Sequence, residues 1–224
     1  MKATENKIGY FIRNMEERDI PQVLEVDHEA FPTQWPYPTY SSFKQELRNR
    51  LAHYVVVCKA NNFNHSDTSV NCVPKTDNRN FISRLFNLKN NTQRDTAETL
   101  LPPAQELIIG MAGFWLMVGE AHIITIALRN SFRNMGIGEK MLISIIDRAI
   151  EMNADIVTLE VRVSNTQARE LYKKYGLIDT GMRPKYYSDN GENAIIMSTQ
   201  NITGPDYSLK LRRLKEAHRD RWGI

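Results

Sequence analysis

One stretch constrains the fold of this chain more than any other. The apolar run over 107–128 is interrupted only by Gly119-Glu120 and His122. It reads as two buried strands, 107–118 and 122–128, joined by a tight turn, the second being apolar enough for the centre of a sheet. Its uncharged part, 107–119, is too short for a bilayer, which takes roughly 20 apolar residues. Arg133-Asn134-Met135-Gly136-Ile137-Gly138 follows, and then 138–152 sets Met141, Leu142, Ile145, Ile146, Ala149 and Ile150 on one helical stripe. Over 155–163 the period changes to two. Val157, Leu159, Val161 and Val163 face one side, and Ile156, Thr158, Glu160 and Arg162 face the other, which predicts a strand.

The remaining elements alternate in the same way. A strand is predicted over 8–15 and a helix over 19–30, with Pro21 tolerated in its first turn. Phe31-Pro-Thr-Gln-Trp-Pro-Tyr-Pro-Thr-Tyr40 has three prolines and must be loop. Ser42-x-x-Gln45 reads as a capping box opening a short helix, and Tyr54 to Lys59 as a β-branched strand. A helix over 165–175 has Asn165 as N-cap and Gly176 just past its end. Two last strands, from 177 and over 194–200, flank a turn at Asp189-Asn190-Gly191. Mixed helices and strands imply an α/β or α+β sheet. Between two of the strands, 61–105 is rich in Asn, Thr, Ser and Asp and has balanced charges. It reads as a polar, largely mobile insertion with one short helix.

Composition narrows the function classes. With 42% hydrophobic and 25% charged residues among 224, the chain is neither fibrous nor wholly disordered. Cys58 and Cys72 are too few for a disulfide scaffold or a zinc ribbon, and the charged first twenty residues do not resemble a signal peptide. Both point to a reducing, cytoplasmic location. The five histidines show no ligand spacing, so no metal is expected. Over 201–224, six basic residues (Lys210, Arg212, Arg213, Lys215, Arg219, Arg221) face three acidic ones, an excess equal to the whole net charge of +3. The organisation is therefore a domain over 1–200, interrupted at 61–105, and a basic, helical tail. Leu211, Leu214, Ala217, His218 and Trp222 suit one stripe of that tail, either docked on the domain or in weak contact with RNA or the ribosome.

The strongest chemical signal is the glycine turn. Glycines permit positive φ and close backbone approach, and the first turn of the following helix presents unpaired N–H groups and a positive dipole end. Such a turn suits a pyrophosphate, and by itself it reads equally as an ordinary strand-to-helix turn. A dinucleotide fingerprint needs a third glycine where Met141 stands, and a P-loop needs Gly-Lys-Ser/Thr where Gly138-Glu139-Lys140 stands.

Four segments in order carry a more specific resemblance: Ala30-Phe31-Pro32; Arg133-x-x-Gly136-x-Gly138; Leu159-Glu-Val-Arg-Val-Ser-Asn165 running into Ala168-x-x-Leu171-Tyr172-x-x-x-Gly176; and Arg183-x-x-Tyr186-Tyr187, Asp189, Gly191 and Ala194-Ile-Ile-Met197. Over 8–59 and 107–200 the chain resembles the GNAT acetyltransferases, and among them the RimI family of ribosomal-protein-alanine N-acetyltransferases. The 61–105 insertion, the basic tail, Leu128 for Val and Leu177 for Phe depart from the compact pattern.

The resemblance implies a GNAT fold, a central mixed, twisted sheet of about seven strands flanked by helices, and an acetyl-CoA co-substrate. It implies that the backbone of Ile126, Ala127 and Leu128 holds the acetyl and pantetheine arm. The turn Arg133, Asn134, Met135, Gly136, Ile137, Gly138 and Glu139 would hold the pyrophosphate. Glu160 would be the base and Tyr172 the acid, with transfer direct in a ternary complex. Partial burial should raise the Glu160 pKa toward a useful range, while a salt bridge to Arg162 would make it merely structural. Asn165 is either a coenzyme A contact or only a helix cap. Phe31, Trp35, Tyr186 and Tyr187, with Tyr37 and Tyr40, could wall a slot for a peptide N-terminus, and Glu25, Asp27 or Glu29 could receive a basic second residue. The family's known target is the N-terminal alanine of ribosomal small-subunit protein 18. An acetyltransferase for another protein or a small amine stays open, as does a non-catalytic acyl-CoA-sensing or ribosome-binding module.

Overall fold

The computed structural model describes residues 9–34, 36–59 and 106–224. The expected insertion over 61–105, Trp35 and Cys72 lie outside the described residues. Seven strands form one sheet: β1 (Tyr10–Asn14), β2 (Ala52–Lys59), β3 (Leu107–Met117), β4 (Glu120–Leu128), β5 (Ile156–Arg162), β6 (Ile178–Arg183) and β7 (Ala194–Ser198), in the order β1-β2-β3-β4-β5-β7-β6. Only the central β4–β5 pair is parallel. Among the described residues five α-helices accompany it: α1 (Ile20–Ala30), α2 (Tyr40–Arg48), α3 (Ile137–Glu151), α4 (Thr166–Lys174) and α5 (Pro205–Trp222).

The unbroken apolar character of β2 and β3 has a direct cause. Both faces of these strands are covered. Val55, Val57, Ile109 and Ala112 join α3 in one core, while Val56, Cys58, Ile108 and Met111 meet Ile20, Val23 and Val26 of α1 and Phe43 of α2 in the other. Fully burying each such aliphatic side chain contributes about 1.5–3 kcal/mol. The α3 stripe packs on the first core through Met141, Leu142, Ile145, Ile146 and Ala149. Helix α2 starts earlier than the Ser42-x-x-Gln45 pattern suggests. Thr39 is the N-cap and Ser42 its reciprocal partner, because their hydroxyls satisfy the Ser42 and Thr39 N–H groups. Residues 201–224 supply α5, which lies on the domain. Leu211 is buried in the first core, and Tyr207 donates to the Tyr175 carbonyl at 3.0 Å.

Candidate active site

Strand β4 is paired to β5 only from Glu120–Ile123 opposite Ile156–Leu159. Beyond that point β4 continues to Leu128 alongside β3, whereas β5 stays with β7 through Arg162. The two strands therefore part. Ile126, Ala127 and Leu128 present one backbone edge that no described strand pairs, and an extended chain can complete such an edge by ladder hydrogen bonds.

The turn after β4 leads from this edge to α3. Gly136 is the α3 N-cap in the left-handed region, φ 77°, which an L side chain adopts only at a cost. The first N–H groups of α3 carry the dipole's positive end. Arg133, Asn134 and Met135 are exposed beside it, and Ile137 is buried beneath it. Glu139 points aside. Burial opposes its ionisation, but Lys174 at 2.5 Å and the Tyr175 hydroxyl at 2.7 Å outweigh that and hold it below the usual carboxylate range. Gln167 of α4 donates to the Asn134 carboxamide at 2.8 Å, tying the two helix starts together. Asn165 uses its side-chain oxygen to cap α4, accepting from Ala168 N at 3.2 Å.

Glu160 stands on β5 where the strands separate, with a side chain only 8% exposed. One oxygen accepts from His122 Nε2 at 2.9 Å and the other from Arg183 Nε at 2.9 Å. Its pKa is therefore lowered, contrary to the rise that burial alone suggests. The His122 hydrogen bond outweighs the burial penalty, and Arg183 adds to it. Arg162 is not its partner; it is engaged by Asp189 and Glu192 and lies 3.8 Å from the Tyr187 ring centre. The His122 pKa is raised, chiefly by the hydrogen bond to Glu160 and against burial. Its Nδ1 meets Thr158 Oγ1 at 2.8 Å, and Thr158 donates onward to Glu120. A polar chain thus runs Glu160–His122–Thr158–Glu120 into an open cavity of about 460 Å³, also lined by Trp115 and Met117.

Tyr172, on α4, packs against the first core, and burial pushes its phenol up to about 12. No described residue hydrogen-bonds its hydroxyl. On the opposite side of the sheet from α3, the α1–α2 and β6–β7 loops are latched by Thr33 Oγ1 donating to Asp189 at 2.5 Å. Phe31 packs into the second core, while Tyr186 and Tyr187 stand edge to face at 5.2 Å and feel the charge of Glu160. Tyr40 turns elsewhere, toward Glu17. Glu25 and Glu29 each pair with Arg129, at 2.7 and 3.5 Å. Asp27 is buried, with Oδ2 unpartnered. Among the described residues no cluster of three His, Cys, Asp or Glu side chains could hold a metal.

Sequence reasoning missed His122 and Arg183 as partners of Glu160. The alternation places His122 and Glu160 on polar faces, but only the β4–β5 register, His122 opposite Thr158, brings them together.

A sheet that opens between two central parallel strands, beside a glycine turn and a buried carboxylate, defines an acyl-transfer enzyme of the GNAT type. This chain belongs to the GNAT family of acetyltransferases. The profile of the "Acetyltransferase (GNAT) family" matches residues 70–177. A Bacillus subtilis (strain 168) protein, named provisionally as a ribosomal protein bS18-alanine N-acetyltransferase, is 30% identical over 187 residues, covering 83% of this chain and 92% of its own. An N-alpha-acetyltransferase of Sulfurisphaera tokodaii is 26% identical over 201 residues, 88% of this chain and 98% of its own. The solved ribosomal-protein-S18-alanine N-acetyltransferase of Escherichia coli shares the fold, with a TM-score of 0.59 at 19% identity over 88% of this chain and 98% of that one. The chain is thus an N-acetyltransferase of a family that uses acetyl-CoA. No helix among the described residues is long and apolar enough to cross a membrane.

Proposed function

We propose that this enzyme transfers acetyl from acetyl-CoA to the α-amine of a protein N-terminus, with the N-terminal alanine of ribosomal small-subunit protein 18 as the leading target. One observation carries the reading. The ionised, nearly buried Glu160 faces the same side of the sheet as the latched Thr33–Asp189 loops, where a peptide end can reach it. The names of the Bacillus subtilis and Sulfurisphaera tokodaii relatives support the same substrate class.

The donor fits what the chain offers. The open edge of Ile126–Leu128 suits the amide-bearing pantetheine arm, and the α3 N-terminus with Arg133 suits a pyrophosphate. The donor supplies a thioester. In the transfer a C–N bond forms at its carbonyl and the C–S bond breaks. An α-amine has a pKa of about 8 and is mostly protonated at neutral pH. Glu160 accepts the departing proton, and when His122 is neutral with its hydrogen on Nδ1, its free Nε2 takes that proton from Glu160 while Nδ1 passes its own toward Thr158 and Glu120. Tyr172 keeps its proton at neutral pH and gives it to the leaving thiolate. Tyr186, Tyr187 and Phe31 orient the peptide end. Asn165, committed to its cap through Oδ1, contributes only its NH₂ group to the donor.

The test is to mix the protein with acetyl-CoA and a peptide beginning Ala-Arg, beside the same peptide with a blocked N-terminus, and to read product mass. One acetyl on the free peptide alone is expected. Transfer to both peptides, or to neither while small amines are acetylated, refutes the reading.

A further inference from the structure

The last turn of α5 closes on the glycine turn that opens α3, and two side chains make the contact. The buried His218 places Nε2 2.9 Å from the Gly136 carbonyl oxygen. A carbonyl can only accept, so this nitrogen carries the hydrogen. The same oxygen receives the Lys140 N–H at 3.0 Å, the first hydrogen bond of α3. One helical turn after His218, Trp222 lays its ring on the same glycine. A Cβ on Gly136 would fall 2.5–2.7 Å from three ring atoms, so the indole leaves room for no side chain there. Lys215 bonds Asp147 farther along α3, so the two helices run antiparallel. Leu211 is buried in the first core, Gly223 caps α5 at φ 68°, and Ile224 packs on the same core. The last turn of α5 is therefore fixed against Gly136 from both sides. Residues 201–224 nevertheless lie outside the two stretches that carry the family resemblance.

What the contact fixes is one peptide plane. The Gly136 carbonyl and the Ile137 N–H belong to a single planar trans unit and point in opposite directions. Two donors, from His218 and Lys140, hold the carbonyl. The Ile137 N–H is thereby aimed out of the N-terminal end of α3, with the other unpaired N–H groups of the first turn. A hydrogen bond on the carbonyl side also polarises the unit and makes its N–H the better donor. Trp222 acts on the other soft variable. Gly136 holds φ 77°, and the ring packed on its Cα opposes any swing away from that value. Neither side chain need touch a ligand to decide how well the turn receives one.

We propose that His218 and Trp222 are positioning residues for the acyl donor: from the C-terminal helix they hold the 136–137 peptide so that the turn meets the donor already in its binding geometry. The inference rests on the acyl-CoA reading of the α3 turn. Such preorganisation raises affinity by removing an ordering cost from the binding step. It acts on the pyrophosphate end of the donor alone, because Glu160, Tyr172 and the edge at Ile126–Leu128 make no contact with His218 or Trp222. The coupling is reciprocal. Whatever factor the docked α5 adds to donor affinity, the bound donor adds to the docking of α5.

Steady-state kinetics of the full chain with acetyl-CoA and with S-acetyl-pantetheine, which keeps the thioester and lacks the pyrophosphate, test this. His218→Leu and Trp222→Ala should each raise KM for acetyl-CoA by about five- to tenfold, roughly what one hydrogen bond contributes, with kcat unchanged. Their kcat/KM for S-acetyl-pantetheine should stay at the wild-type value. His218→Gln, whose amide can donate from nearly the same place, should recover most of the acetyl-CoA KM. A general loosening of the fold would impair both donors alike, and that result overturns the proposal, as does an unchanged KM for acetyl-CoA. Should the variants not fold, hydrogen exchange of the wild type decides. Coenzyme A, and not pantetheine, should slow the amides of residues 220–223 at the end of α5, and equal exchange with and without coenzyme A overturns the proposal. A wild type that uses both donors equally well has no pyrophosphate site at the turn, and the donor reading then falls with the proposal; in the other failures it stands.

Discussion

The two glycines of the phosphate turn should behave oppositely when each is given a methyl group. Gly136 is left-handed, and its Cβ would enter the Trp222 ring. An L residue in that backbone region costs about 1–2 kcal/mol, and forcing a packed ring aside costs about 1–3 kcal/mol more. Gly136→Ala should therefore destabilise by about 2–5 kcal/mol, which for a domain of this size lowers Tm by about 5–15 °C. Gly138 lies inside α3, without a positive φ, and has nothing within 4 Å of its Cβ position. Gly138→Ala should leave Tm unchanged or raise it, since alanine gains up to about 1 kcal/mol over glycine in a helix. The same methyl would stand where a pyrophosphate must approach, and coenzyme A affinity should fall at least about tenfold, or 1.4 kcal/mol. Thermal unfolding with and without coenzyme A reads both effects. A cycle with Trp222→Ala isolates the ring clash, because only the backbone cost should remain in that background. If Gly136→Ala melts with wild type, or costs the same with and without Trp222, the packing argument is wrong.

Three other expectations follow from the site. Glu160→Gln and Tyr172→Phe should each lower kcat by about 10²–10⁴, the usual worth of a general base or acid, with coenzyme A affinity unchanged by calorimetry; wild-type rates in both would remove their assigned roles. Glu160, lying below its ordinary 4.5, is ionised throughout the neutral range, so the acid limb of kcat/KM should combine the substrate α-amine, at about 8, with His122, which lies above its ordinary 6.5. In His122→Gln the carboxylate loses the hydrogen bond that lowers its pKa, and its own limb should move upward in a pH-rate profile; an unmoved profile would separate His122 from the proton path. Asp27, buried with Oδ2 unpartnered, has its pKa raised by burial from 3.8 to about 6. The folded state then binds this proton more tightly than the unfolded one, so stability is lost as pH rises from about 4 to about 6 and stays lost above, by about 3 kcal/mol. Asp27→Asn should accordingly stabilise in urea titrations at pH 8 and gain little at pH 5, and a loss at pH 8 would contradict this.

Local pattern carried much of this architecture. The stripe of Met141, Leu142, Ile145 and Ile146 and the alternation of Val157, Leu159 and Val161 each report a face buried within a single element, so period alone reveals them. The glycine turn was legible because its chemistry is in the backbone and lies within six consecutive residues. Glu160 stood out through the resemblance, yet the direction of its pKa did not, because the deciding partners, His122 and Arg183, come from β4 and β6. The packing of Trp222 on Gly136, eighty-six positions apart in sequence, is likewise a product of helix docking that no periodicity encodes. The Thr39 cap escaped notice for a smaller reason: Thr39 and Ser42 are spaced as a capping box just as Ser42 and Gln45 are, and the earlier pair won.

The parting of β4 and β5 also bears on how the protein opens. The backbone groups of 124–128 that face away from β3 have no protein ladder to hold them, and their protection from exchange must come from whatever lies along that edge. A bound donor would act there as a removable rung of the sheet, and binding only the folded state at a hundred times its Kd would add about 2.7 kcal/mol to stability. Hydrogen exchange of the three amides of this stretch that face outward, those of Ile124, Ile126 and Leu128, fast in the free protein and slowed by donor, would then read occupancy directly. The enzyme's resistance to unfolding would rise and fall with the supply of its own co-substrate.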